Sequence, residues 1–428
     1  MSYESEVLVV GAGITGLVAA ITLAQQGVNV IVVDAAISNN NGARAAVVHA
    51  HTLEILSSLG FADAVIERGI RCDRLRFSGD ASRQLLEVDM SALKKNTPYP
   101  FSVLISQAHV EEALQSVLES LKVKIHRGNG ITGIKRLLDD KVEVMLSNNS
   151  TIATKYIIGA DGAHSTIRHL VGIDFKDPET GLSYDDPDIT NTFQIALADI
   201  YMAHVPSPIP LNEPTFQLDR NLILIPLPSS EPNRLMWRVG LGSPPNADEI
   251  PHNPPIEYFR EEINKRNPFD TPFVISSVLS SSRYRVRTAL ADTYNAKIGK
   301  THVLLVGDAA HVHSPVGGQG MNMGICDAVS AARTIIHHMK SEDDADRDLV
   351  FQTYTKKRRE VGERVVGMAT NMTKLLTYGA GASWKKSVRD AFLRLLMFVQ
   401  PLRKIIVWRV SGLRNRSGDL SQFTNTIP

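Results

Sequence analysis

The sequence predicts an α/β fold: a Rossmann-like, parallel and doubly wound sheet, interrupted by an inserted antiparallel sheet and followed by a helical C-terminal region. Three stretches carry that prediction. Near the N-terminus an apolar run ends in GAGITG; from Val303 a second apolar run ends in an aspartate and a glycine-rich loop; and between Asp177 and Pro254 Pro, Ser and Asp become frequent while apolar runs shorten. The first two read as strand–turn–helix units, the third as a separate antiparallel sheet.

In chain order, Val7 to Val10 reads as a buried strand running into Gly11, Gly13 and Gly16. Ile14 to Gln26 continues as a helix ended by Gly27, and Val30 to Val33 is a second strand with Asp34 and Ala35 at its tip. This is a dinucleotide fingerprint. Gly11 permits the tight turn, Gly13 lets the backbone approach a pyrophosphate, Gly16 lets helix pack on strand, and Asp34 can accept from a ribose hydroxyl. The fingerprint does not separate FAD from NAD. Beyond the loop Asn39 to Gly42, Arg44 offers a guanidinium that matches a diphosphate, with a solvated arginine as the alternative.

Leu53 to Leu59 is a short predicted helix, and Arg71 to Asp89 reads as extended segments. Gln107 starts a helix whose apolar residues Val110, Leu114, Val117, Leu118 and Leu121 keep the helical period. Ile131 to Leu138, Val142 to Leu146 and Thr151 to Ala153 read as a meander. The strand Tyr156 to Ile158 follows and ends in GADGAHSTIRHLVG, with Asp161 at its tip and Ser165 and Arg168 opening a helix. An Asp161 and Ser165 that merely cap that helix is the competing reading. In the insertion, Phe193 to Met202, Asn221 to Pro226 and Leu235 to Leu241 read as strands; Phe216 and Trp237 either line a pocket there or pack its core.

The strand Val303 to Val306 then leads through Gly307 to Asp308, at the carboxyl end of a parallel strand where open α/β sheets bind ligands. Pro315, Gly317, Gly318 and Gly320 form a loop before a helix reaching about Met339. Backbone N–H groups at such a helix N-terminus can hold partial negative charge on a flat heterocycle. His311 and His313 form an HxH pair, but no nearby Cys or third His completes a ligand set, so no metal is expected.

Composition sets the outer bounds. With 428 residues, 43% hydrophobic and 21% charged, the chain has ample core for two or three domains. A net charge of +1 gives no reason to expect a nucleic-acid partner. Cys72 and Cys326 are the only cysteines and fit no disulfide or metal spacing, Glu4 and Glu6 stand where a signal peptide would be basic, and no uncharged run would span a bilayer. Together these predict a cytoplasmic protein.

The three motifs, in order and at family-like separations, resemble the FAD-dependent aromatic hydroxylases of the p-hydroxybenzoate hydroxylase fold, with the phenol hydroxylase and pentachlorophenol monooxygenase type nearest by motif. The resemblance runs from Val7 to about Ser411. It implies one non-covalent FAD, NADPH or NADH as reductant, and O2 added at flavin C4a, the hydroperoxide transferring one oxygen to an aromatic or polycyclic, electron-rich small molecule. It implies FAD contacts from Gly11, Gly13, Ile14, Thr15, Gly16, Asp34, Ala35, Arg44 and Gln107, and from Asp161, Arg168, Gly307 and Asp308, with Asp308 on the ribityl chain. Pro315, Gly318, Gly320, Met321 and Asn322 would lie along the isoalloxazine, with Pro315 and His313 as the flavin-adjacent catalytic candidates. The implied division is 1–180 for the first part of the FAD-binding domain (71–100 contributing to the substrate side), 181–284 for the substrate domain, 285–340 for the second FAD part and 341–428 for a helical C-terminal region.

Some positions depart from the pattern. His51 precedes Thr52-Leu53-Glu54 where these proteins usually carry arginine, Ser330 to Arg333 replaces a more usual Asn-Leu-Ala-Trp, and the Trp-x-Trp-x-Ile-Pro motif of related halogenases is missing. A flavin oxidase or dehydrogenase on the same fold, or a catalytically silent flavin-binding protein, remain the alternative functions, and monomer and homodimer both stay open. Finally, Trp384 to Arg416 mixes apolar residues with many Lys and Arg and a single acid, Asp390. It reads either as a basic amphipathic segment in peripheral contact with an anionic membrane or as a helix packed on the FAD domain with its basic face in water.

Overall fold

The computed structural model describes residues 2–38, 45–79, 83–137, 140–186, 193–229, 231, 234–243, 247–341, 348–377 and 383–416. Its centre is a six-stranded sheet in the order Asn295–Ile298, Thr301–Leu305, Tyr156–Gly159, Val7–Val10, Val30–Val33, Ile125–His126. Only the Asn295–Ile298 edge runs antiparallel to its neighbour. Val7–Val10 and Tyr156–Gly159 are buried along their whole length, as uninterrupted apolar runs must be when helices cover both faces of a sheet.

The strands bring the three motifs together because they are neighbours in register: Ile158 pairs with Val9 on one side and Leu304 on the other. All three glycine-bearing loops therefore leave the same edge. The helix Ile14–Ala24 packs against the helix Gly320–Lys340. That crossing needs glycine, since a Cβ on Gly307 or Gly324 would stand 2.9 or 2.4 Å from Thr15 Oγ1.

A second, seven-stranded sheet runs in the order Val274–Arg285, Gln194–His204, Leu235–Ser243, Leu222–Leu227, Thr215–Gln217, Arg74–Ser78, Gln84–Asp89. The sheet thus combines strands of the insertion with two from the N-terminal region. The amphipathic helix Ile256–Lys265 covers one face, where Phe259 and Ile263 pack with Trp237, Val239 and Leu224. Trp237, 1% exposed, is therefore core, while Phe216 stacks on Phe77 at 4.7 Å within the other face's cluster. That face also receives Leu393, Val407 and Val410 from the helices Ser383–Phe398 and Gln400–Val410. A four-stranded sheet joins the meander Ile131–Arg136, Val142–Leu146 and Thr151–Thr154 to Ser2–Glu4. Among the described residues no helix is long and apolar enough to cross a membrane.

Candidate active site

The first loop is built from sterics. Gly11 has φ +104°, and a Cβ there would lie 2.3 Å from the Ala160 carbonyl oxygen; on Gly16 it would lie 1.8 Å from that of Gly11. A Cβ on Gly13 would meet nothing within 4 Å, so packing does not account for that glycine. Gly13 is also the N-cap of the helix, and no side chain caps it. Asp34 Oδ2 accepts from Ala12 N at 2.6 Å and Oδ1 from Ala36 N at 2.7 Å, tying the strand tip to the turn; Ala35 between them is exposed. Ile14 is buried in the core and Thr15 fills the helix crossing, so their side chains face inward and only their backbone lies along the loop. Arg44 falls outside the described residues. Gln107 is half-buried and donates to Glu111 Oε1 at 2.8 Å.

At the second loop the carboxylate of Asp161 accepts from Ser165 Oγ at 2.5 Å and from Ile167 N at 3.1 Å, and burial pushes its pKa up. Ser165 caps the helix Thr166–Leu170 by accepting from Arg168 N. Arg168 is fully buried. It donates to the carbonyls of Ala309 at 3.0 Å and Ala163 at 2.7 Å and lies over the Phe175 ring at 3.9 Å. Arg168 thus joins the second loop to the third, while Asp161 and Ser165 hold the second loop to its own helix.

The third loop presents Asp308. From Thr301 to Ser314 it is the exposed residue in an otherwise buried run. Gly307, with φ +59°, turns the chain there, and its N–H donates to Asp327 Oδ2 at 3.1 Å. His311 is turned inward as well: Nε2 is 2.6 Å from Asp327 Oδ2, while Arg358 Nε donates to Asp327 Oδ1 at 2.6 Å. Burial pushes the Asp327 carboxyl up, but Arg358 and His311 outweigh it and hold the group below the usual carboxylate range. His313 is buried with Nδ1 2.7 Å from the Ser314 carbonyl, and burial lowers it to about 4, so it is neutral at pH 7. Its Nε2 has no hydrogen-bond partner among the described residues. The HxH pair therefore points to separate partners. The His, Cys, Asp and Glu side chains that do converge among the described residues are His302, His338 and Asp348, elsewhere in the fold, where Lys297 already bridges Asp348 at 2.6 Å.

Pro315 to Gly320 is pinned on one side by His49 and Asn322. His49 Nε2 is 2.9 Å from the Gly317 carbonyl; Asn322 Oδ1 accepts from His49 N at 2.8 Å, and its Nδ2 donates to Val47 and Gly318 carbonyls. Gly317 and Gly318 both have positive φ. The helix Gly320–Lys340 starts without a side-chain cap, and a Cβ on Gly320 would meet nothing within 4 Å. By contrast, Ser106 and Ser165 cap the helices Gln107–Ser120 and Thr166–Leu170. The uncapped amides of Gly320, Met321 and Asn322, like those after Gly13, are the donors that an anionic or electron-rich ligand would take up.

From the other side, Tyr284 of the seven-stranded sheet donates its hydroxyl to the His313 carbonyl at 3.2 Å. Tyr284 packs with Ile195 and Leu197, giving that sheet an apolar surface next to the loop. Arg238, paired with Asp199 through two contacts of 2.7 Å, donates to the Ala45 carbonyl and binds the sheet to the first domain. His49, Tyr284 and Arg238 escaped the sequence reading because none belongs to a motif, and the strands that carry the last two show no burial alternation that would single them out.

A family model described as an FAD binding domain matches residues 4–369. The chain belongs to this FAD-binding family. Among the similar curated proteins, 6-methylpretetramide 4-monooxygenase of Streptomyces rimosus is 27% identical over 419 residues, covering 95% of this chain and 68% of its own. Pentachlorophenol 4-monooxygenase of Sphingobium chlorophenolicum is 27% identical over 376 residues, covering 85% of this chain and 64% of its own, so the chain spans about two thirds of the length of these relatives. The p-nitrophenol 4-monooxygenase of Pseudomonas putida DLL-E4 has the same fold, with a TM-score of 0.79 at 22% identity over 97% of this chain and 99% of that one. The fold expected from the sequence, that of the flavoprotein aromatic hydroxylases, is the fold found. The glycine loops with their uncapped helices fit the dinucleotide that the FAD-binding family takes.

Proposed function

We propose that this FAD-binding protein is a monooxygenase that uses NADPH or NADH and O2 to hydroxylate an aromatic or polycyclic, electron-rich small molecule. One observation carries the reading: the loop His313 to Gly320 is held on one side by His49 and Asn322 of the FAD-binding fold and on the other by Tyr284 of an apolar sheet. A flavin ring along this loop would face that sheet, and a flat apolar substrate would lie between them. The names of the relatives, one a pentachlorophenol 4-monooxygenase and the other a 6-methylpretetramide 4-monooxygenase, support the same reaction type.

Bound FAD supplies the hydride and oxygen chemistry. The protein's part is positional and electrostatic. Gly11, Gly13 and the amides after Gly13 would receive the diphosphate, Asp34 the ribose, and Asp308 the ribityl hydroxyls. The N–H groups of Gly320, Met321 and Asn322, at a positive helix end, would stabilise negative charge on the ring's pyrimidine edge. Pro315 and His313 would border the reacting face; neutral His313, with Nε2 unpaired, can accept a proton or a substrate hydroxyl. Arg168 would act at one remove through the carbonyl of Ala309, next to Asp308, and Asp161 by holding the second loop to its helix.

The test is turnover under 18O2 with NADPH or NADH and a panel of phenols and polycyclic aromatics. One labelled oxygen in the product is expected. Unlabelled product with stoichiometric H2O2 would make the protein an oxidase instead.

A further inference from the structure

The helix Ser383–Phe398 has an unusual outward face. Trp384, Val388, Phe392, Leu395 and Phe398 are 66, 55, 47, 58 and 84% exposed, and their spacing puts them on one stripe of an α-helix. The opposite side is spent on the protein: Leu393 is buried in the sheet's cluster, and Arg389 pairs with Asp390 and Asp219. Leu402 and Ile405, 38 and 46% exposed, continue the apolar surface onto the helix Gln400–Val410. A surface helix ordinarily turns its polar side to water, and a contiguous apolar ridge of this kind marks a docking surface.

Charge identifies what docks. Lys385, Arg394, Arg403, Lys404 and Arg409 accompany the ridge, and the single acid from Trp384 to Val410, Asp390, is the buried partner of Arg389. A second copy meeting the ridge about a two-fold axis would bring two cationic rims together. An anionic lipid surface satisfies both features, taking Trp, Phe and Leu into the acyl boundary while Lys and Arg remain among headgroup phosphates. We infer that the helices Ser383–Phe398 and Gln400–Val410 lie in the plane of an anionic phospholipid membrane and hold the enzyme on it.

The C-terminal end of the helix Gln400–Val410 reaches the candidate site. Gln319, at the start of the Gly320 helix, donates to the Val410 carbonyl at 2.9 Å, and His51 N donates to that of Ser411 at 3.1 Å. If the proposed reaction is right, an apolar substrate dissolved in the bilayer would have a short way to the site; docking itself does not depend on that reading.

Flotation of the full-length flavoprotein with phosphatidylcholine vesicles, with and without about one third phosphatidylserine, tests the inference. Binding is expected to the anionic vesicles at low salt, weakened at high salt, with Trp384 fluorescence quenched by brominated acyl chains. Phe392→Asp with Phe398→Asp, at exposed positions, should lower partitioning roughly tenfold or more while flavin absorbance and elution volume stay unchanged. Arg403→Glu with Lys404→Glu should weaken it independently. No flotation of the wild type, flotation of both variants equal to that of the wild type, or a wild-type dimer that the Phe pair dissociates would overturn the assignment, the last by giving the ridge to a second copy.

Discussion

The amide N–H of His49 donates to Asn322 Oδ1 at 2.8 Å, while the imidazole of the same residue holds the Gly317 carbonyl at 2.9 Å. Two segments 273 residues apart thus fix the glycine loop that opens the Gly320 helix. Replacing the ring by an apolar one of similar size, His49→Phe, should leave the fold intact and release the Gly317 carbonyl. Product formed per NAD(P)H consumed should then fall, with H2O2 making up the difference, by on the order of tenfold, because loss of about 1 Å in positioning is enough for that. A variant as well coupled as wild type would show that this contact does not position the flavin.

The same ring predicts a pH effect. Burial lowers the His49 imidazole from its ordinary 6.5 to about 4. Between those values the unfolded chain takes up a proton that the native state refuses, so this stabilisation is complete above pH 6.5 and is lost as pH falls toward 4. Summed over that window, the loss is on the order of 3 kcal/mol. His49→Asn, which cannot titrate, should flatten the pH dependence of denaturant midpoints across this window. An unchanged slope would mean that the native ring ionises normally.

Asp308→Ala should weaken FAD by about 1.5 to 3 kcal/mol, roughly tenfold to a hundredfold in Kd, through loss of a charge-assisted hydrogen bond. Titration of apoprotein with FAD measures it. Asp308→Asn should recover part of the loss, and affinity equal to wild type in the alanine variant would remove Asp308 from the flavin contacts. FAD itself should leave the protein on acid precipitation: both cysteines are buried, and burial pushes the Cys72 thiol up to about 12, so that thiol offers no thiolate for attachment.

The glycine motifs were legible because each has a local cause. A positive φ at Gly11 and Gly307 and a forbidden Cβ at Gly16 leave signatures that one sequence can carry. The roles of side chains beside those glycines were less legible. Thr15, Arg168 and His311 sit inside motifs, yet each is directed by a partner far along the chain: Gly324, Ala309 and Asp327. The strand Val274–Arg285, rich in serine, has no clean alternation, and only pairing with Gln194–His204 makes it a sheet edge. Glu54 shows the limit most plainly, since beside His51, where relatives usually carry arginine, its arginine partner is Arg416.

The group Arg358, Asp327 and His311 carries the last prediction. All three are buried, and Asp327 receives Gly307 N, His311 and Arg358 together, so it fixes the turn that presents Asp308. A buried carboxylate deprived of its cation keeps its desolvation cost without the attraction that offsets it. Arg358→Met should therefore destabilise the protein by about 3 to 5 kcal/mol, whereas Arg358→Met with Asp327→Leu, which removes both charges, should recover much of that loss. The double variant would still lack the acceptor for Gly307 N, so its FAD affinity should stay below wild type even where its stability recovers. Chemical denaturation and FAD titration of the two variants separate these effects. If the double variant is less stable than the single one by a full further increment, the ion pair is not the unit that holds the turn; if it binds FAD as wild type does, the turn does not depend on Asp327.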